Sequence, residues 1–198
     1  MSLVKTFKGQ VVQDPSFAKF LTSDWRAGLI WLPLRIWVGL QWLAAGEHKV
    51  GDPGWVSTGA ALKGFWAGAV AIPAAPAKPA IAVDWYRSFL QFLLNNQSYV
   101  WFGKLVAYGE LLVGIALIVG AFTGIAAVAA GLMNWNYIMA GTASTNGLLF
   151  LCEVGLIVAW KVSGYIGADY FLLRWIGTPW GREATPEPVK QKAEAAAD

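Results

Sequence analysis

The fold is decided by residues 109–161, GELLVGIALIVGAFTGIAAVAAGLMNWNYIMAGTASTNGLLFLCEVGLIVAWK. Between Glu110 and Glu153 this stretch contains no charged residue and no histidine. An uncharged apolar run of roughly 18 residues or more is a candidate transmembrane helix, and this stretch is long enough for two crossings with half of another at each end. The two bounding acids lie inside the apolar zone, where a charge costs about 3 kcal/mol or more. Each of them therefore needs a partner or a function.

The composition is that of an integral membrane protein. Of the 198 residues, 57% are hydrophobic and 14% are charged, whereas a soluble domain has about 25% charged residues. The 12 tryptophans are typical of side chains that anchor a protein at membrane interfaces. The net charge is only +3 and the basic residues are not clustered. We therefore expect the lipid bilayer as a partner and no nucleic acid.

A single cysteine and a single histidine limit the cofactors that the chain can hold. Cys152 cannot form an internal disulfide or ligate a cluster alone, and we interpret it as a small buried hydrophobe. His48 cannot provide bis-histidine ligation of haem, and the sequence has no C-x-x-C-H motif. We therefore expect no haem and no metal in this chain.

The hydropathy pattern predicts an all-α fold, an integral membrane four-helix bundle within residues 29–177. The four spans are predicted at about 29–46, 99–120, 122–141 and 147–161. Residues 47–98 form a long external segment with short interfacial helices, in which a proline-rich connector at 73–79 is stiff and extended. Residues 1–28 form a leader with a surface helix, and residues 178–198 form a disordered tail.

Lysine and arginine in the flanks predict the orientation. The N-terminal and C-terminal flanks are basic, whereas the two short hairpin loops contain no lysine or arginine. Four spans place both termini on one side, which we expect to be the cytoplasmic side of the plasma membrane. Residues 47–98 then face outward. No apolar core followed by a small-residue cleavage site precedes Leu29, so no removable signal peptide is predicted.

Several polar residues are predicted to form a column from the outer surface to the middle of the membrane. At about 1.5 Å per residue, Arg35 and Glu110 lie about 18 and 15 Å below the outer ends of their spans. Asn134 and Glu153 lie higher. Glu110 shares a helix face with small residues, which indicates that it points into the bundle. No basic residue is left at the depth of Glu153, so we expect Glu153 to carry a proton.

Each of these residues also has a purely structural interpretation. Arg35 and Glu110 can form an interhelical ion pair that only fixes the bundle. Asn134 and Asn136 can form hydrogen bonds between helices, and His48 can belong to a polar helix end.

Four motifs resemble the DoxX family of small membrane proteins. They are G-E-H-K at 46–49, Y-G-E-L-L-V-G-I-A-L-I-V-G-A-F-T-G at 108–124, N-W-N-Y-I-M-A-G-T-A-S-T-N at 134–146 and A-W-K-V-S-G-Y-I-G-A-D-Y at 159–170. The resemblance covers about residues 25–177 and implies a four-helix membrane bundle. For the DoxD-like small subunit of thiosulfate:quinone oxidoreductase it implies electron transfer from thiosulfate to quinone, which yields tetrathionate, together with a second subunit.

The first functional hypothesis is therefore an oxidoreductase subunit with quinone as cofactor. Glu110 and Glu153 are the candidate catalytic residues, because a buried acid can exchange protons with quinone. The candidate quinone-binding residues are Arg35, Asn134, Asn136 and Tyr137. At the outer surface, Glu47, His48 and Lys49, together with Arg87, are candidates for binding an anionic donor such as thiosulfate.

Two other hypotheses remain open at this point. The chain can be a non-catalytic accessory or assembly subunit of a larger respiratory or photosynthetic membrane complex, docked to other membrane subunits through its tryptophan-rich outer faces. The polar column also suggests a pathway for protons or small molecules.

Overall fold

A computed structural model of the chain describes residues 14–176. Within these residues the only regular secondary structure is helical, with irregular segments such as 71–83 and no β-strand. A 3-10 turn, Trp25–Ala27, leads from α1 into α2. The helices are α1 Ser16–Ser23, α2 Gly28–Val50, α3 Pro53–Val56, α4 Ala60–Val70, α5 Asp84–Asn95, α6 Tyr99–Val119, α7 Thr123–Met139, α8 Asn146–Val158, α9 Trp160–Ser163 and α10 Asp169–Ile176.

Four helices, α2, α6, α7 and α8, share one hydrophobic core, which we call the four-helix core. Each contributes fully buried apolar side chains, among them Val38, Leu117, Ala127 and Leu156. Neighbouring helices run in opposite directions. The C-terminus of α2 and the N-terminus of α6 therefore lie at one end, called here the upper end, and Arg35 lies towards the lower end.

Glycines allow α2 and α6 to pack with their backbones nearly in contact. A Cβ atom at Gly46 would lie 2.6 Å from the Cα atom of Leu111, and one at Gly114 would lie 2.7 Å from the Cα atom of Leu43. Small residues permit such close approach between membrane helices. These contacts place Glu110 beside Gly46, three turns of α2 above Arg35.

The segment between α2 and α6 folds over the upper end and has its own apolar core. Leu62, Trp66, Tyr86 and Leu90 are buried in it. The hydroxyl of Tyr86 donates hydrogen bonds to the backbone oxygen and Oδ1 of Asn136, at 3.0 and 3.1 Å. Burial raises the pKa of Tyr86 to about 12, because the phenolate would be poorly solvated there. The segment is thus attached to α7.

The lower end is closed by a buried polar cluster. Arg35 donates hydrogen bonds to the backbone oxygens of Ser163 and Ile166, both at 2.9 Å. The carboxylate of Asp169 accepts the backbone N–H groups of Phe122 and Thr123 at the start of α7. A carboxylate at a helix N-terminus satisfies donors that have no partner within the helix and interacts favourably with the helix dipole.

The structure confirms the all-helical fold class, and two helices, Trp25–Val50 and Tyr99–Val119, are long and apolar enough to cross a membrane. A four-helix membrane bundle stays a prediction. The helix α2 extends past the end of the first predicted span, from Gly46 to Val50, and is followed by Gly51-Asp52-Pro53. The fourth is interrupted at Ala159, between α8 and α9. The predicted tail, 178–198, and residues 1–13 of the leader lie outside the described residues.

Candidate functional site

A polar pocket of about 360 Å³ lies at the upper end of the four-helix core. Lys49, Glu110, Asn134 and Tyr137 line it together with aromatic rings from three helices, those of Trp42, Trp55 and Phe65. The exposed Gln41 on α2 and the half-buried Asn146 on α8 also line it, so the pocket opens between these two helices. Its volume lies at the lower end of the range of about 300–1,000 Å³ that is typical of small-molecule sites.

Glu110 is the centre of the polar contacts in this pocket. Its side chain is 1% exposed, and its Oε2 lies 2.6 Å from the Nζ of Lys49. The hydroxyl of Tyr137 donates a hydrogen bond to Oε1, also at 2.6 Å. A buried charge is tolerated when it is paired and its lone pairs are satisfied. The Lys49–Glu110–Tyr137 cluster meets both conditions, which explains how the acid is accommodated.

Glu153 is held differently, without a cation. Its side chain is fully buried, and its Oε1 accepts hydrogen bonds from the Nε1 of Trp42 at 2.7 Å and the Nδ2 of Asn134 at 2.8 Å. The same Asn134 nitrogen lies 2.9 Å from Oε2. The Oδ1 of Asn134 is buried and has no partner among the described residues. Asn134 therefore connects Glu153 to the pocket, which it lines itself.

Lys49 retains hydrogen-bonding capacity for a ligand. An ammonium group has three donors, and the structure shows one hydrogen bond of Lys49, the one to Glu110. The Nζ also lies 5.1 Å from the ring centroid of Trp55 and 5.9 Å from that of Tyr137. The remaining donors of Lys49 therefore border a pocket whose walls include aromatic rings.

Five of the ten predicted site residues come together here. Lys49, Glu110, Asn134 and Tyr137 line the pocket, and Glu153 is hydrogen-bonded to Asn134. The prediction that Glu110 and Asn134 point into the helix bundle is confirmed, since each is 1% exposed.

The other five predicted residues, Arg35 among them, lie elsewhere. Glu47 and His48 are exposed and have no side-chain partner within residues 14–176, whereas Lys49 turns inward. Residues one and two apart on a helix do not face each other, so the three cannot form one anion site. Asn136 is exposed and bonded to the backbone oxygen of Leu132, outside the pocket. Arg87 pairs with Asp84.

The expected pairing of Arg35 with Glu110 is wrong. Arg35 bonds to Ser163 and Ile166 near the lower end, and its guanidinium contacts Gly120, at the far end of α6 from Glu110. The predicted depths assumed that the C-terminal end of the first span and the N-terminal end of the second span lie at the same height. In the structure α6 starts beyond the end of α2, beside Trp55 and Gly59, so Glu110 lies higher than expected. The single polar column is therefore two separate clusters.

Sequence reasoning missed Trp42 as a partner of Glu153. A spacing of seven residues places Arg35, Trp42 and Lys49 on one face of a helix, and all three side chains turn inward. This stripe was not recognised because the first span was expected to end at Gly46. Asp169 was also missed, since a residue in a short terminal helix gives no indication that it caps α7.

No family model matches the chain, and comparisons with curated proteins and with solved structures also return no match. Within residues 14–176 no three His, Cys, Asp or Glu side chains are grouped so that they could hold a metal ion. The functional argument therefore depends on the polar pocket itself.

Proposed function

We propose that the chain is a multi-pass membrane protein in which all four helices of the four-helix core contact lipid. The exposed positions of α6, α7 and α8 form apolar stripes, for example Leu105, Leu112, Ile115 and Val119 on α6. A soluble monomer rarely exposes a contiguous apolar patch larger than a few hundred Å². Four charged or amide side chains of these helices, Arg35, Glu110, Asn134 and Glu153, are buried instead, which is the arrangement expected in lipid.

The polar pocket is proposed to bind the head group of a quinone, and the chain to act as a DoxX-like oxidoreductase subunit. The observation that carries this proposal is the buried Lys49–Glu110–Tyr137 cluster within aromatic walls. Lys49 donates to a quinone carbonyl, and Trp55 offers an aromatic surface against which the flat ring packs. In this proposal the quinone accepts the electrons directly from the donor, so electron transfer requires no metal in this chain.

The chemistry assigns the protons to Glu110. A quinone that takes up two electrons must also take up two protons to become a quinol. In the proposal each proton comes from water at the mouth of the pocket, is taken up by the carboxylate of Glu110, and reaches the quinone oxygen through the ammonium group of Lys49, which Glu110 then reprotonates. The resemblance to the DoxX family suggests a small sulfur-containing donor. Two thiosulfate ions that join through a new S–S bond would release the two electrons.

The test is equilibrium binding of a tail-free benzoquinone to the purified chain in nanodiscs. Lys49→Met should weaken binding about tenfold or more, because a hydrogen bond from a charged group to the quinone carbonyl contributes about 1.5–3 kcal/mol. Tyr137→Phe should weaken binding less, because the Tyr137 hydroxyl donates to Glu110 and not to the ligand. Asn136→Ala is the matched control, since Asn136 lies outside the polar pocket, and it should leave the affinity unchanged. Equal affinities in all four proteins, or no binding to the wild type, would contradict the proposal.

One observation favours the second candidate function, an accessory subunit of a larger membrane complex. On α5, the exposed surface carries three large aromatic side chains, Trp85, Phe89 and Phe92, which are 44–62% exposed. Such a surface suits docking of another membrane subunit. Purification in mild detergent distinguishes the two functions: fixed-ratio co-purification with large redox subunits and no quinone binding by the isolated chain favour the accessory role.

A further inference from the structure

A second cavity, of about 180 Å³, lies beside the polar pocket and is apolar. It is enclosed by α4, α5, α6 and α7, and its lining includes Leu62, Leu90, Phe102 and Val106. The polar groups of Tyr86 and Asn136 border it, but they are hydrogen-bonded to each other. We call this space the apolar cavity. Because its polar groups are satisfied, it suits a hydrocarbon chain better than a polar ligand.

The apolar cavity opens towards the surface that is proposed to contact lipid. Leu105 on α6 and Leu132 on α7 line it, and their side chains are 57% and 59% exposed. Both residues belong to the exposed apolar stripes of their helices. A chain that is dissolved in the bilayer can therefore reach the cavity from the side.

Two aromatic side chains separate the apolar cavity from the polar pocket. Phe65 and Tyr137 line both spaces, and their ring centroids are 6.0 Å apart in an edge-to-face arrangement. The hydroxyl of Tyr137 points to Glu110 in the polar pocket, while its ring borders the apolar side. The two spaces thus share one thin wall, and a ligand that occupies both must displace the ring of Phe65.

We propose that the apolar cavity binds the hydrocarbon tail of the same ligand whose head group occupies the polar pocket. The ligand class is then an amphipathic, lipid-soluble molecule with a compact polar ring and an alkyl or isoprenoid tail. This inference rests on the proposed quinone function and adds a tail subsite to it. Burial of apolar surface contributes about 25 cal/mol per Å², so a tail that fills the cavity strengthens binding.

The test compares a tail-free benzoquinone with the same ring carrying a ten-carbon tail (roughly the chain that the cavity and its opening can cover), in nanodiscs. Leu132→Trp and Val106→Phe fill the apolar cavity from two helices. Leu112→Trp is the matched control, because Leu112 is 65% exposed on α6 and lines neither space. Every variant is measured in the same bilayer, so partition of the tailed ligand into lipid affects all of them equally. A difference between variants therefore reports the apolar cavity.

The tailed ligand should bind the wild type and Leu112→Trp about tenfold more tightly than the tail-free ring, and both filling variants should lose this gain while retaining affinity for the tail-free ring. If the tail-free ring binds but the gain is absent, or survives both substitutions, the tail subsite is wrong and the quinone function stands. If neither ligand binds the wild type, the proposed function fails and the tail subsite fails with it.

Discussion

Lys49 and Glu110 form an ion pair in a largely buried place, where either charge without the other would be unfavourable. The side chain of Glu110 is 1% exposed and that of Lys49 is 16% exposed. Removing one partner of a buried ion pair leaves the other charge without compensation, whereas neutralising both is often much less harmful. Each charge therefore needs the other to be tolerated in the folded protein, although the pair as a whole adds little net stability.

This dependence gives a prediction for a double-mutant cycle. Lys49→Met and Glu110→Gln should each lower the free energy of unfolding by about 3 kcal/mol, because each leaves a buried group unpaired. The double variant should lose less than the sum of the two single variants. The measurement is denaturant unfolding in detergent micelles.

Asp84→Asn is the control for this cycle. Asp84 pairs with Arg87 at 2.8 Å, but its side chain is 92% exposed. An exposed ion pair contributes about 0–1 kcal/mol, so this substitution should have little effect. Additive losses from the two buried substitutions would show that Lys49 and Glu110 are not coupled.

At the scale of elements, the contact between α2 and α6 depends on glycine. Gly46→Ala should lower the free energy of unfolding by about 1–3 kcal/mol, because the added Cβ atom would collide with backbone atoms that cannot move independently. A Cβ atom at Gly46 would lie 2.6 Å from the Cα atom of Leu111. Thermal unfolding of the two proteins in the same detergent measures the difference.

Gly64→Ala on α4 is the control for Gly46→Ala, because no loss of stability is expected from it. A Cβ atom at Gly64 meets nothing within 4 Å, and alanine is favoured over glycine in a helix by about 1 kcal/mol. This variant should be as stable as the wild type or more stable. A loss in both variants would show that glycine is needed for a reason other than close packing.

The helices were largely predictable and their relative heights were not. Apolar length alone identifies α2 and α6, and the Gly51-Asp52-Pro53 break predicts where α2 ends once Glu47–Lys49 are accepted as helical. Periodicity shows that Glu110 faces inward, but it contains no information about which residue of α2 lies beside it. That height is set by backbone contacts at Gly46 and Gly114, so Lys49 rather than Arg35 is the partner of Glu110.

For the whole molecule, the proposed membrane topology places the polar pocket on the outer side and α1 on the cytoplasmic side. In a Cys152→Ala background, Thr58→Cys should react with a membrane-impermeant maleimide added to intact cells, because residue 58 is exposed in the segment over the pocket. Ser16→Cys, exposed in α1, should react only after the cells are lysed. Equal labelling of both positions in intact cells would contradict this topology.

Helix α8 has 13 residues, whereas α6 has 21. At about 1.5 Å per residue, α8 is about 12 Å shorter. In the membrane protein proposed above, a bilayer that matches α6 is too thick beside α8, and hydrophobic mismatch of this kind is relieved when the lipid thins locally or the protein tilts. The polar pocket opens between α2 and α8, so local thinning would bring phospholipid head groups down to its mouth and shorten the distance over which a polar ring must leave water.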